Sequence, residues 1–290
     1  GYGGNIDSNV YKKMRNIFSD NYNLIVLQCS YFGSEFMQTP SYDELTNKYN
    51  SIIGSNILED SKSVSKVSVT MNESFENFND MGPMQAIDNI TAVLTVIEEA
   101  KKKGIVINKQ KIIAYGHSHG AYLAYLCNRF YPNMFSLMIE NSAYIFHAYL
   151  YSDRLIMYDR IYLTYSYMIT KYRNDINPEL YSLSYLYDNF ENSCNIICFH
   201  GQDDNMTSFD DKYEFTNKID EMIFMGIGKE DLTGDVIKST NHGLNADLLK
   251  LFDISYNAIE EKLRNRKDSR LPDNVKIDFS NGMSFNIDYT

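Results

Sequence analysis

Apolar and polar positions along this 290-residue chain fall into two alternating rhythms. Short apolar runs at Leu24-Ile25-Val26-Leu27, Lys111 to Tyr115, Phe135 to Ile139 and Asn195 to Phe199 read as buried strands. Longer stretches with apolar residues every three or four positions read as helices. The clearest spans 84–103, with Ile87, Ile90, Leu94 and Ile97 on one face. Lys101 to Lys103 suit its negative C-terminal end, and Gly104 can cap it. Further helices are expected near 8–19, 119–131, 208–222 and 245–265, with a strand near 234–238. Strands alternating with helices imply right-handed crossovers and a mostly parallel sheet with helices on both faces, an α/β fold. Val275 to Tyr289, around Ser280-Asn281-Gly282, reads as a β-hairpin outside that rhythm.

One segment breaks the alternation. Between Ala143 and Phe190 lie eleven of the 24 tyrosines, without clean periodicity and with no obvious sheet strand. An insertion at this point of an open α/β sheet sits above the C-terminal strand ends, where ligands bind. Residues 143–190 are therefore expected to form a helical, tyrosine-rich cap. The alternative is a loop-rich helical pair on the flank. The core is then 1–142 with 191–268, and 269–290 forms the C-terminal hairpin.

Charge and cysteine content narrow the partners. Lys and Arg number 27 against 38 Asp and Glu, a net charge of −11. Phosphate-bearing partners select basic patches, so this balance argues against a general nucleic-acid or membrane-surface binder. No run of about 18 apolar residues marks a membrane span. Cys29, Cys127, Cys194 and Cys198 are scattered and mostly apolar in context, which suits buried thiols in a reducing, cytoplasmic compartment. Cys194 and Cys198 lack a partner pair at zinc spacing, so neither a metal nor a cofactor is expected. Heavy use of Asn, Tyr, Ile and Lys is a bias that an AT-rich genome would also produce.

The strongest local signal is Gly116-His117-Ser118-His119-Gly120, between an expected strand and an expected helix. In that context Ser118 sits on a sharp turn that projects its hydroxyl. Gly116 and Gly120 are expected where neighbouring backbone leaves no room for a Cβ. The helix then begins at the nucleophile, and its free N–H groups favour a developing oxyanion. The backbone N–H of His119 is one expected donor. The second should come from a Gly-rich loop, and Gly1-Tyr2-Gly3-Gly4 is placed for it, through the N–H of Tyr2.

A serine nucleophile needs a base and an acid that orients it. His200-Gly201-Gln202-Asp203-Asp204 follows an expected strand and offers Asp204 as the acid, with Asp203 its nearest rival. Asn241-His242-Gly243 follows the expected strand near 234–238 and offers His242 as the base. A histidine base predicts activity that falls as imidazole protonates. His117 and His119 flank the nucleophile, His200 braces the acid turn, and His147 reads as a surface or packing residue.

The order Ser118, Asp204, His242, each after its own strand, resembles the α/β-hydrolase superfamily over most of the chain. That resemblance implies a central sheet, a serine on a nucleophile elbow and a cap inserted late in the sheet order. More narrowly, Gly1-Tyr-Gly-Gly-Asn-Ile-Asp-Ser8, Tyr31-Phe32-Gly33 and Glu35-Phe36-Met37-Gln38 resemble a bacterial family of hydrolase-like proteins associated with surface-glycan and flagellar modification loci. Members of that family carry further residues before the Gly-rich loop and after the hairpin, which implies that this sequence is a piece of a longer protein. The expected activity is a serine esterase or deacylase acting through an acyl-enzyme on a small-molecule or glycan ester. An acyltransferase or a serine peptidase would use the same three residues, and a hydrolase-shaped adaptor is the non-enzymatic alternative.

Overall fold

The structure is a computed structural model. It describes residues 6–37, 47, 65–69, 72–158, 161–264 and 272–289. The helices with a clear start signal form where the sequence places them. In α1 (Asn9–Tyr22), Ser8 caps the N-terminus, Met14 and Phe18 are buried, and Asn23 ends the helix in the left-handed region. In α2 (Pro83–Lys102), Pro83 occupies the first turn, where its missing N–H costs nothing. Gly104, at φ 70°, closes α2 by bonding back to Lys101 O.

Four parallel strands carry the site. They are β2 (Ile113–His117), β3 (Leu137–Asn141), β6 (Asn195–Gly201) and β7 (Met222–Ile227), hydrogen-bonded in that order. Side chains alternate across this sheet and feed two separate cores. Leu137 and Ile139 of β3, with Ile197 and Phe199 of β6, pack on α1 and on α6 (Leu248–Arg264). There Phe18 stacks on Phe252 with ring centroids 4.1 Å apart. Met138 and Ile196 face the opposite way, onto α2 and α3 (His119–Phe130). The hairpin of β8 (Asn274–Asp278) and β9 (Ser284–Asp288) turns at Gly282 and buries Val275, Ile277, Phe279 and Ile287 in that second core.

Several elements differ from the sequence expectation. Leu24 to Leu27 pairs with no strand among the described residues. Leu24 and Val26 touch the core while Ile25 and Leu27 point outward. The strand expected near 234–238 is a loop. Val236 and Ile237 still pack inward, but their backbone bonds go to local partners such as Gly234 and Asp247. The strand forms earlier, as β7. The helix before it, α5 (Phe209–Thr216), stops six residues short of 222 because the chain must turn to reach that edge.

Segment 143–190 is less helical than expected. It contains β4 (Arg154–Tyr158) and β5 (Ile161–Tyr165), an antiparallel pair. β5 pairs in parallel with β1 (Ser65–Val69), giving a second, three-stranded sheet. Three 3₁₀ turns and the one-turn α4 (Leu183–Leu186) are its other helical elements among the described residues. Tyr167 and Tyr181 are buried with Leu150 and Ile169 of the segment and with Met81 from outside it, in a small separate core. None of the four cysteines is in a disulfide, and Cys127, Cys194 and Cys198 are buried. Among the described residues no helix is long and apolar enough to cross a membrane.

Candidate active site

Ser118 lies between the end of β2 and the start of α3, at φ 55° and ψ −120°. A non-glycine residue at such a φ is strained, and the sheet enforces it, because the Ser118 N–H bonds to Asn141 O of β3 at 2.8 Å. A Cβ on Gly116 would lie 2.4 Å from the Cα of Ala121, so only glycine fits there. Gly120 differs from expectation: a Cβ there meets nothing within 4 Å. Gly116→Ala should therefore abolish soluble, active protein, while Gly120→Ala should retain wild-type activity and melt slightly higher. Parallel melting and labelling assays on the two variants check this.

The structure brings the three distant side chains together. Ser118 Oγ lies 2.8 Å from His242 Nε2. His242 Nδ1 lies 2.9 and 3.1 Å from the two carboxylate oxygens of Asp204. Asp204 also accepts from the amides of Met206 and Thr207. Burial works against its charge, but the hydrogen bonds from His242 and the Met206 amide, taken together, hold its carboxyl below the usual range. Asp203 turns the other way and accepts from the Thr240 hydroxyl at 2.5 Å.

The loop carrying His242 is pinned from two sides. The Asp203 N–H bonds to Thr240 O, and a Cβ on Gly201 would sit 2.0 Å from that same carbonyl. From β3, Asn141 donates to Gly243 O, and Ser142 Oγ accepts from the Gly243 N–H at 3.0 Å. The end of β3 thus holds both the Ser118 amide and the histidine loop.

Of the other histidines, His119, His147 and His200 are buried. His119 is buried, and desolvation lowers its pKa to about 3, so the ring is neutral. Its Nε2 donates to Gln85 Oε1 at 2.6 Å. As the first residue of α3 it leaves its backbone N–H without a partner in the helix. His147 is buried against His119, Tyr122 and Tyr144, and burial lowers its pKa well below the ordinary value. His200 Nε2 donates to Thr207 O and so braces the turn that carries Asp204. His117 is exposed, with its ring 6.3 Å from that of His242. Tyr2 lies outside the described residues.

Two features were missed in the sequence. Tyr144 Oη lies 3.0 Å from Ser118 Oγ, and its ring is parallel to that of His242 at 5.8 Å. Below it, Lys212 and Glu140 form a fully buried ion pair of 2.5 Å. Glu140 accepts from the Ala143 N–H and Lys212 donates to the Ala143 carbonyl. Among the described residues, no group of three His, Cys, Asp or Glu is arranged to hold a metal ion.

On a parallel sheet with helices on both faces, a serine at such a turn marks an α/β-hydrolase-fold serine hydrolase. Within that class the chain belongs to the prolyl oligopeptidase family, whose sequence profile matches residues 76–250. No curated protein matches it in sequence. Among solved structures it is similar to Est1E of Butyrivibrio proteoclasticus with bound ferulic acid, at 13% identity and TM-score 0.49, covering 91% of this chain and 87% of that one. Esterase 2 of Thermogutta terrifontis shares 16% identity at TM-score 0.39, over 62% of this chain and 64% of that one. Acylaminoacyl peptidase of Pyrococcus horikoshii shares 13% identity at TM-score 0.41, over 64% of this chain but 29% of that one.

Proposed function

We propose that the protein hydrolyses carboxylic esters through an acyl-enzyme on Ser118. The observation that carries this reading is the continuous chain of short contacts from Ser118 Oγ through His242 to Asp204. Ser118 attacks the acyl carbon as His242 Nε2 takes its proton. Asp204 holds the proton on Nδ1 and stabilises the imidazolium. The His119 N–H, and the N–H of Tyr2 from the Gly-rich loop, bind the oxyanion. His242 then protonates the departing alcohol, and water attacks the acyl-enzyme by the reverse path.

We assign 143–190 as the cap over this site. An acylated sugar is the substrate we favour, because aromatic side chains suit a sugar face and the motifs resemble hydrolase-like proteins of glycan-modification loci. The cytoplasm is the compartment that fits four cysteines without a disulfide. A second reading, a serine peptidase, is favoured by the family match over 76–250. An amide demands more of the leaving-group proton transfer than an ester does, so the two readings separate on substrate.

The test is labelling with a fluorophosphonate, followed by turnover of p-nitrophenyl acyl esters against aminoacyl p-nitroanilides. Wild type should label, Ser118→Ala should not, and esters should be cleaved. Cleavage of the anilides alone favours the peptidase. A folded wild-type chain that never labels removes the serine-hydrolase reading.

A further inference from the structure

We infer that Tyr144 is a further catalytic residue, a hydrogen-bond donor aimed at the nucleophilic oxygen itself. The inference rests on the Ser118 reading above and assigns a residue outside that triad. Asp204 accepts from His242 Nδ1, so in the neutral imidazole, the form that acts as base, Nε2 is the bare nitrogen. Ser118 has one proton, and that proton points to Nε2 at 2.8 Å. The contact of 3.0 Å between Ser118 Oγ and Tyr144 Oη therefore runs the other way, with the phenol donating to the serine.

Burial, the largest influence on Tyr144, raises its pKa, so the phenol stays protonated and is a fixed donor. In the attack step the Oγ–H bond breaks toward Nε2. An Oγ lone pair forms the bond to the acyl carbon, and the carbonyl π pair moves onto the carbonyl oxygen. Negative charge passes transiently through Oγ, and a preorganised donor there stabilises it. In deacylation Oγ is the leaving atom, takes its proton back from His242 and again meets the same donor. Tyr144 keeps its own proton throughout, so both half-reactions balance without it.

The placement is rigid. The ring lies parallel to the His242 ring, at an interplanar angle of 7°. The preceding residue, Ala143, has its N–H and its C=O held by Glu140 and Lys212. The hydroxyl is thereby directed by the end of β3, the same strand end that fixes the Ser118 amide.

The test uses the rate of fluorophosphonate labelling, which needs no knowledge of the natural substrate, together with p-nitrophenyl acetate turnover. Tyr144→Phe keeps the ring and removes only the hydroxyl. It should label about 10- to 100-fold more slowly than wild type and lose kcat by the same factor with KM little changed, at an unchanged melting temperature. Tyr144→Leu, which also removes the ring face from His242, should be slower still. If Tyr144→Leu fails to fold, the comparison of Tyr144→Phe with wild type decides alone. Labelling of Tyr144→Phe at or above the wild-type rate overturns the proposal and leaves Ser118 as nucleophile. A wild type that does not label overturns both.

Discussion

Asp204→Asn should lower kcat for p-nitrophenyl acetate by about 10⁴-fold, while Asp203→Asn should leave it within a few-fold of wild type. The two residues are neighbours in sequence and differ in where they point. Asp204 reaches His242 Nδ1 at 2.9 Å, whereas Asp203 meets the Thr240 hydroxyl. An asparagine at 204 can present its NH₂ to Nδ1. That would move the imidazole proton to Nε2, and the base could no longer accept from Ser118. An asparagine at 203 keeps an oxygen for Thr240 to donate to. Equal losses in the two variants would mean that the loop, and not the carboxylate at 204, carries the effect.

The same substitution has a pH signature in stability. The folded carboxyl of Asp204 is held below its usual range. Its contribution is therefore present above the unfolded value of about 3.9 and is lost as pH falls through the folded value. Urea unfolding of wild type and Asp204→Asn should show a gap at neutral pH that closes as the pH is taken below about 4. A gap independent of pH would count against this carboxylate as the charged partner.

Much of the site was legible because its signals are local. Gly116-x-Ser118-x-Gly120 encodes a turn, His200 to Asp204 encodes the loop that ends β6, and Asn241 to Gly243 encodes a loop, although the strand expected before it is itself a loop. What these loops meet is decided by the sheet, and a parallel α/β order brings such loops to one rim. Features that depend on pairing across long separations were not legible. Glu140 and Lys212 are 72 residues apart, and nothing local marks either as buried. Tyr144 is one of eleven tyrosines between Ala143 and Phe190, identical to its neighbours until the fold places it. β5 pairs with β1 from nearly a hundred residues earlier, so a segment without helical periodicity became strand. β7 was hidden for another reason. It is an apolar run of the kind that reads as a buried strand, but the helix expected over 208–222 overlaps its first residue, and as an edge strand it leaves Ile223 and Met225 exposed.

Lys212→Met should be the most destabilising single change outside the turn at Ser118. The side chains of Lys212 and Glu140 are both fully buried and are paired at 2.5 Å. Removing one partner leaves an uncompensated buried charge, at a cost of about 3–5 kcal/mol. For a chain of this size that lowers Tm by on the order of 10 °C. The double variant Glu140→Gln with Lys212→Met removes both charges and keeps an oxygen for the Ala143 N–H, so most of the lost stability should return. Activity should not return in step. The Ala143 carbonyl loses its donor in the double variant, and Tyr144 follows directly in the chain. Its hydroxyl is then held less firmly against Ser118, so kcat should remain several-fold below wild type at restored Tm. A single variant that melts like wild type would show that the pair carries no net stability. A double variant with full kcat would show that the β3 end needs no such brace to aim Tyr144.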